Sequence, residues 1–326
     1  MILIVLFWIF VFIASFFILI HGSNHLIKNA ERIGLSFGLS PFVIGVLIVG
    51  IGTSLPELIT SITAMVEGVT ELVVANAVGS NIANIFLILG LTAVITRHMS
   101  VRKNLIFLDL PLLAATTVMF VVVAGVKETL ADGQVGYFVT LPESIFLILV
   151  YFIYFGYSLL YKDEYASSTE DALQVRPTVT MLNYFFLCTG LVGIIIGAKF
   201  LVEATLQLSI LLNIGIGVIS LFAIAVGTSL PELFVSIRAT QMNKPELALG
   251  NIIGSNVFNI LMLTGLSGLF GTLVIDTPTM FIGVPTLIVA TLMLIISGIS
   301  NKVHLWDGAM FLMMYALFIA KLFGIF

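Results

Sequence analysis

Apolar runs of about twenty residues recur from one end of the chain to the other, separated by short polar clusters. Wound as a helix, a run of that length crosses the roughly 30 Å of hydrocarbon in a bilayer. The pattern predicts ten spanning helices, near residues 2–21, 41–65, 71–95, 105–126, 140–161, 180–204, 214–239, 246–270, 279–299 and 304–325. One extended polar stretch, YKDEYASSTEDALQVRPTVT (Tyr161–Thr180), divides them five and five. The expected organisation is a first unit over 1–161, a linker over 162–179 and a second unit over 180–326. The first run lacks a basic leader and a small-residue cleavage site, so it reads as a span and not as a signal peptide.

The two units repeat one another. Residues 45–90 align on 220–265 without a gap at a constant offset of 175, and 19 of the 46 positions are identical. GTSLPEL occurs at 52–58 and 227–233, and GSN-x-x-N-I at 79–85 and 254–260. Low-complexity apolar sequence produces chance matches, but not two shared motifs at equal separation. Five spans is an odd number, so the second unit has to enter the membrane from the side opposite to the first.

Charge placement bears on the same point. With the N-terminus outside, Lys28, Arg32, Arg97, Arg102, Lys103, Lys162, Arg176, Arg238, Lys244 and Lys302 fall on the inner side, while Lys127, Lys199 and Lys321 fall outside. Ten against three fits the positive-inside rule and predicts that both termini lie outside, with the linker cytoplasmic. The expected fold is an all-α polytopic membrane protein of ten transmembrane helices, built as two inverted five-helix repeats with broken helices at the midplane. The expected location is the cell (inner) membrane, multi-pass. Composition agrees, with 60% hydrophobic and 9% charged residues, where a soluble chain carries about 25% charged.

Against that apolar background a few polar residues stand out. Pro56 and Pro231 fall inside spans, where each removes a backbone donor and crowds the carbonyl four residues earlier, that of Gly52 or Gly227. Carbonyls near Gly52–Thr53 and Gly227–Thr228 are then expected to lack intrahelical partners, either turning to a neighbouring helix or facing a cavity or ligand. Glu57 and Glu232 follow those prolines. An acid at the centre of a membrane helix costs about 2.5–3.5 kcal/mol on insertion scales, which marks it as functional. No basic residue lies near either in sequence, so the pair is expected to share protons or to hold a cation. Asn76, Ser80 and Asn84, at i, i+4 and i+8, make one polar stripe on a helix, and Asn251, Ser255 and Asn259 make a second. These stripes serve either as interhelical hydrogen bonds or as oxygen ligands. Gly79 and Gly254 beside them are expected to let helices approach closely.

The inventory is carboxylate, hydroxyl, amide and carbonyl oxygen, without sulfur or imidazole. Hard oxygen donors favour calcium, magnesium or an alkali ion over zinc, copper or iron, and a flexible cage suits calcium better than magnesium. Cys188 is the single cysteine, which excludes an intrachain disulfide and a cysteine metal cluster. His21, His25, His98 and His304 lie at span ends without ligand spacing. No cofactor, nucleic acid or obligate protein partner is expected.

At its two motifs the chain resembles the calcium/cation antiporter superfamily, and within it the prokaryotic sodium/calcium exchanger family. The resemblance covers nearly the whole chain. It implies exchange of sodium for calcium by alternating access, with Na+ and Ca2+ as the transported ions. It further implies that Glu57 and Glu232 are shared ligands, that Thr53 and Thr228 add carbonyl and hydroxyl oxygens, and that Ser54 and Ser229 stand beside them. Ser80 and Ser255, with the carbonyls of Gly50 and Ala225, would complete flanking sodium sites, and Asn84 and Asn259 would line the central position. Many members carry aspartate where this chain has Asn259; an acid there is associated with the potassium-dependent branch, so potassium cotransport is not expected. A proton-coupled calcium/cation exchanger is the nearest alternative and a passive channel the next. The spans contain no HExxH, Ser/His pair or aspartate dyad of an intramembrane enzyme.

Overall fold

A computed structural model describes residues 2–100, 109–129, 135–160, 177–211, 227–299 and 302–325. Eleven helices run through the described residues: α1 (Ile2–Ser36), α2 (Pro41–Thr53), α3 (Leu55–Val66), α4 (Glu71–Thr96), α5 (Asp109–Ala124), α6 (Leu141–Leu160), α7 (Met181–Leu211), α8 (Leu230–Gln241), α9 (Pro245–Gly268), α10 (Thr279–Gly298) and α11 (Leu305–Leu322). Seven are long and apolar enough to cross a membrane, and α2 with α3, bent by 41° at one residue, make an eighth when the pair is counted as one span. The chain is therefore a polytopic helical membrane protein. Two of the ten predicted spans are described only in part: α5 matches 105–126 without 105–108, and α8 matches 214–239 without 214–226.

Burial sorts the helices. In α9, 94% of the spanning window is buried, and in α4 72%, whereas α1 buries 11%. The two helices that carry the polar stripes thus form the centre, and α1 lies at the rim with Phe7, Phe10 and Phe17 turned outward as lipid-facing side chains. α1 packs along α7, with Gly22 against Gly190 and Gly197 against Leu19. Both helices outrun their predicted spans of 2–21 and 180–204. The extra turns of α1 carry Asn24 and Asn29, and Asn29 is buried against the start of α7, where Asn183 Nδ2 donates to Asn29 Oδ1 at 2.9 Å. Hydropathy alone ends a span where such residues begin, although the helix does not end there.

At one end of the bundle α1 is tied to the segment around α8. Arg238 donates from Nε and Nη2 to Asn24 Oδ1, at 3.2 and 2.8 Å, and Lys244 forms an ion pair with Glu31. On α7, Glu203 Oε1 accepts from Gln207 Nε2 at 3.1 Å. Short strands, absent from the hydropathy pattern because they are three to five residues long, staple the loops. β1 (His98–Ser100) pairs antiparallel with β5 (Lys302–His304), and β2 (Lys127–Thr129), β3 (Val135–Val139) and β4 (Leu273–Ile275) form a three-stranded antiparallel sheet.

The turns α3–α4 and α8–α9 are built alike, 175 residues apart. The amide of Val69 donates to Ala64 O and that of Lys244 to Ala239 O, at 2.8 and 2.9 Å, closing the preceding helix through a left-handed residue. That residue is Gly68 (φ 78°) in the first turn and Asn243 (φ 60°) in the second. Glycine and asparagine tolerate this conformation, whereas a β-branched side chain does not. A Gly68→Asn variant is therefore expected to melt within a degree or two of the native protein. Gly68→Val is expected to lose about 1–2 kcal/mol, read as a lowered midpoint of thermal unfolding in detergent.

The closest helix crossing is that of α2 with α9. A Cβ placed on Gly250 would lie 2.2 Å from Phe42 O, one on Gly45 2.4 Å from Leu247 O, and one on Gly254 2.5 Å from Val46 O. Backbone meets backbone along this seam, as small residues permit inside membranes. Of the two glycines beside the stripes, Gly254 plays this part and Gly79 does not, having nothing within 4 Å of an added Cβ.

Candidate functional site

In the first GTSLPEL motif the helix breaks at Ser54; in the second, Gly227–Ser229 form a bend and turn ahead of α8. Ser54 (φ −86°, ψ 4°) and Ser229 (φ −89°, ψ 8°) leave the helical region, and new helices α3 and α8 start at the following leucines. Pro56 and Pro231 then sit in a first turn, where a missing amide hydrogen costs nothing. Glu57 and Glu232 share that first turn, at the end of the helix that favours negative charge. The carbonyl that gathers polar partners is that of Gly50, in place of the expected Gly52 and Thr53. It accepts from Ser54 N at 3.2 Å, from Thr53 Oγ1 at 3.4 Å and from Ser255 Oγ at 3.2 Å. A proline expected to kink a continuous helix instead stands in the first turn of a second one, and the break falls at Ser54, two residues before Pro56.

Across the α2–α9 seam the two halves exchange hydrogen bonds. Thr53 Oγ1 donates to Asn251 Oδ1 at 3.1 Å, and Ser54 Oγ donates to Glu232 Oε1 at 3.0 Å. Two further contacts recur at the 175-residue offset. Asn76 Nδ2 donates to Glu57 O at 3.2 Å and to Ser61 Oγ at 3.1 Å; Asn251 Nδ2 donates to Glu232 O at 3.4 Å and to Ser236 Oγ at 3.0 Å. The first asparagine of each stripe thus clamps the turn that carries the acid. Ser61 and Ser236 were not singled out from the sequence, although each stands four residues after its glutamate in both repeats. That conservation within the chain was the available signal.

The carboxylates themselves are nearly or fully buried, Glu57 at 1% and Glu232 at 0% exposure. Neither oxygen of Glu57, and only Oε1 of Glu232, has a hydrogen-bond partner, and neither acid has a basic partner among the described residues. Leaving buried polar atoms unpaired costs about 1–3 kcal/mol each, more when they are ionised, so such a pair calls for positive charge from outside the protein. Among the described residues no three His, Cys, Asp or Glu side chains gather as they would around a resident metal. Two acids ringed by neutral oxygens are a softer trap, suited to an ion that must also leave.

The remaining expected residues fall around this centre. Ser80 and Thr228 line one cleft together with Asn76, Gly79 and Thr279; its outer walls come from Phe318, Leu322 and Phe323 at the end of α11. Ser80 Oγ reaches Asn76 Oδ1 at 3.5 Å, the limit of a hydrogen bond. Ser229 is buried next to Glu232 at the start of α8. Asn84 and Asn259 are buried within π-helical turns, Ala83–Leu89 and Phe258–Leu263, a winding that recurs at functional positions in helices. Asn84 bonds across to Asn256, whereas neither amide atom of Asn259 has a partner, and no recorded hydrogen bond joins Asn259 to the acids. Ala225 lies outside the described residues.

Comparison with known proteins points the same way as the geometry. The profile of the family described as "Sodium/calcium exchanger protein" matches residues 7–160 and 182–324. The sodium/calcium exchanger MaX1 of Methanosarcina acetivorans is 33% identical, over 94% of this chain and 96% of its own length. An uncharacterised membrane protein of Methanocaldococcus jannaschii is 32% identical over 95% and 96%. Among solved structures, the sodium-calcium exchanger NCX_Mj soaked with zero Na+ and Ca2+ superposes with a TM-score of 0.77 at 29% identity, covering 98% of this chain and 99% of that one. Its family is one of transporters and not of enzymes. The chain belongs to the sodium/calcium exchanger family.

Proposed function

We propose that this protein is a secondary active antiporter that exchanges Na+ for Ca2+ by alternating access through one central site with flanking Na+ sites. The observation that carries the reading is the pair of buried acids, Glu57 and Glu232, with three carboxylate oxygens unpartnered and no basic side chain paired with either among the described residues. Two ionised carboxylates carry −2. One Ca2+ or two Na+ bring the site to neutrality, and a third Na+ leaves it at +1. The loaded site crosses a low-dielectric barrier cheaply, while the empty one resists crossing, and that difference separates exchange from leak.

In this reading Glu57 and Glu232 bind either ion, Thr53 and Thr228 contribute oxygens beside them, and Ser54 and Ser229 hold the ring. Ser80, Ser255 and the carbonyls of Gly50 and Ala225 form the flanking sodium positions, and Asn84 and Asn259 line the middle. Asn259, uncharged where an acid is associated with potassium dependence, argues for exchange without potassium. The ten spans are two inverted five-helix repeats, 1–161 and 180–326, joined by a cytoplasmic linker, with both termini outside the inner membrane. The cleft over Ser80 and Thr228 opens beside the end of α11, which is then the outer side. The contacts of Arg238 with Asn24 and of Lys244 with Glu31 close the inner side. α1 and α7, resting on the rim, are the elements free to slide over the rest.

Buried paired acids also bind protons, which keeps a proton-coupled exchanger as the second reading. Reconstituted vesicles separate the two. Labelled calcium should accumulate when the lumen is loaded with sodium and the outside is sodium-free, with equal pH on both sides. Accumulation under a pH gradient alone, and none under a sodium gradient, would select the proton-coupled reading. Flux indifferent to any counter-ion would select a channel.

A further inference from the structure

We propose that Asn256 is a positioning residue that fixes the side-chain amide of Asn84, so that Asn84 presents its oxygen and not its nitrogen to the transported ion. This rests on the reading that Asn84 lines the ion site, and it extends that reading to a residue outside the ligand set. Asn84 Nδ2 donates to Asn256 Oδ1 at 3.0 Å, between α4 and α9, and both residues are buried, at 1% and 0% exposure. The backbone of Asn256 is held by the same opposite helix, since Asn81 Nδ2 donates to its carbonyl oxygen at 2.8 Å, while its own Nδ2 is buried without a partner, so its side chain is engaged through Oδ1 alone. Asn84 Oδ1 is buried and has no partner.

The two ends of an asparagine amide have nearly the same size, so packing does not choose between them; hydrogen bonding does. Turning the Asn84 amide over would set Oδ1 against Oδ1 of Asn256, acceptor against acceptor, and would aim two N–H donors where a cation binds. Both changes are unfavourable, and the second removes a ligand. With Asn256 in its observed orientation, its acceptor sets which end of Asn84 faces away from it.

The mirror position lacks this device. At the 175-residue offset, the counterpart of Asn84 is Asn259 and that of Asn256 is Asn81. Asn81 spends its Nδ2 on the Asn256 backbone, and neither atom of the Asn259 amide is bonded. The centre thus holds one fixed oxygen donor, contributed by the first repeat, and one amide free to turn over, contributed by the second. A fixed donor adds affinity because no orientation is lost on binding.

The test is a double-mutant cycle on the full chain, read by the calcium concentration that half-saturates uptake into sodium-loaded vesicles and by the rise in melting temperature that calcium gives in detergent. Asn256→Leu, close in shape but without an acceptor, should raise the half-saturating calcium concentration roughly tenfold, the size of one lost hydrogen-bonded contact to a charge. Asn84→Ala should do about the same. The double variant should be no worse than Asn84→Ala alone, because Asn256 acts only through Asn84. Asn256→Ser, too short to reach Asn84, runs the same cycle should the leucine variant fail to fold. An effect of the Asn256 change that persists in full in the Asn84→Ala background, or a change only in the melting temperature without ions, would overturn the assignment alone. A native chain that takes up no calcium and gains no stability from it would instead overturn the exchanger reading, and this inference with it.

Discussion

Glu57→Gln and Glu232→Gln should each abolish sodium-driven calcium uptake while leaving the protein inserted and folded. Glutamine keeps the volume and one oxygen but removes a unit of charge. With a single carboxylate left, Ca2+ raises the site to +1 in a region of low dielectric, where an uncompensated charge costs about 3 kcal/mol or more, roughly a hundredfold in affinity. Sodium loading falls from two neutralising ions to one, so the exchange cycle fails on both legs. The sign of the effect on stability is opposite. In ion-free detergent the native site holds two buried acids with three unpaired oxygens, which the substitution relieves, so each variant should melt at a higher temperature than the native protein. Saturating calcium at about a hundred times its dissociation constant should stabilise the native chain by about 2.7 kcal/mol and the variants hardly at all. Uptake and melting curves measured together check both halves. Variants that retain exchange would remove the carboxylate pair from the mechanism.

Gly250→Leu should prevent the two halves from closing on each other. The added Cβ would stand 2.2 Å from Phe42 O and 3.1 Å from Gly45 Cα, and the atoms it meets are backbone, which cannot turn aside as a side chain does. Helices α2 and α9 would have to part, and that separation breaks the bonds of Ser255 to Gly50 O and of Thr53 to Asn251. Overpacking of this kind costs about 3 kcal/mol or more where the surroundings cannot relax. The expected result is aggregated or low-melting protein in size-exclusion chromatography and thermal unfolding. Gly250→Ala, meeting the same backbone oxygen, should show the same defect in milder form. Gly156→Ala on α6 is the control: nothing lies within 4 Å of its added Cβ, so the variant should gain up to about 1 kcal/mol from helix propensity.

Much of this arrangement was legible in the sequence. The duplicated GTSLPEL and GSN-x-x-N motifs marked Glu57, Glu232 and their oxygen-bearing neighbours, because polar atoms inside an apolar run are too costly to persist without use. The same logic predicted broken helices, and one such break, between α2 and α3, lies among the described residues. Its position was misjudged by a residue or two, since a proline read along one continuous helix obstructs the carbonyl of Gly52, whereas a proline in the first turn of a new helix obstructs nothing. The end of α1 was likewise misjudged, because buried polar contacts such as that of Asn29 with Asn183 carry the helix past its apolar window. The short strands left no trace in hydropathy, because three residues bury too little to be patterned.

Hydrophobicity and repetition are properties of single residues and of chain order, and the sequence alone therefore determined that this is a duplicated membrane protein with two buried acids of like sign. Partnership is a property of space. Only the tertiary structure decided that Thr53 answers Asn251, that Ser54 answers Glu232 and that Asn256 holds Asn84, contacts that join residues 172 to 198 positions apart. A hydrogen bond depends on the angle and the few ångströms between two atoms, and those are set by how closely Gly45, Gly250 and Gly254 let two backbones meet.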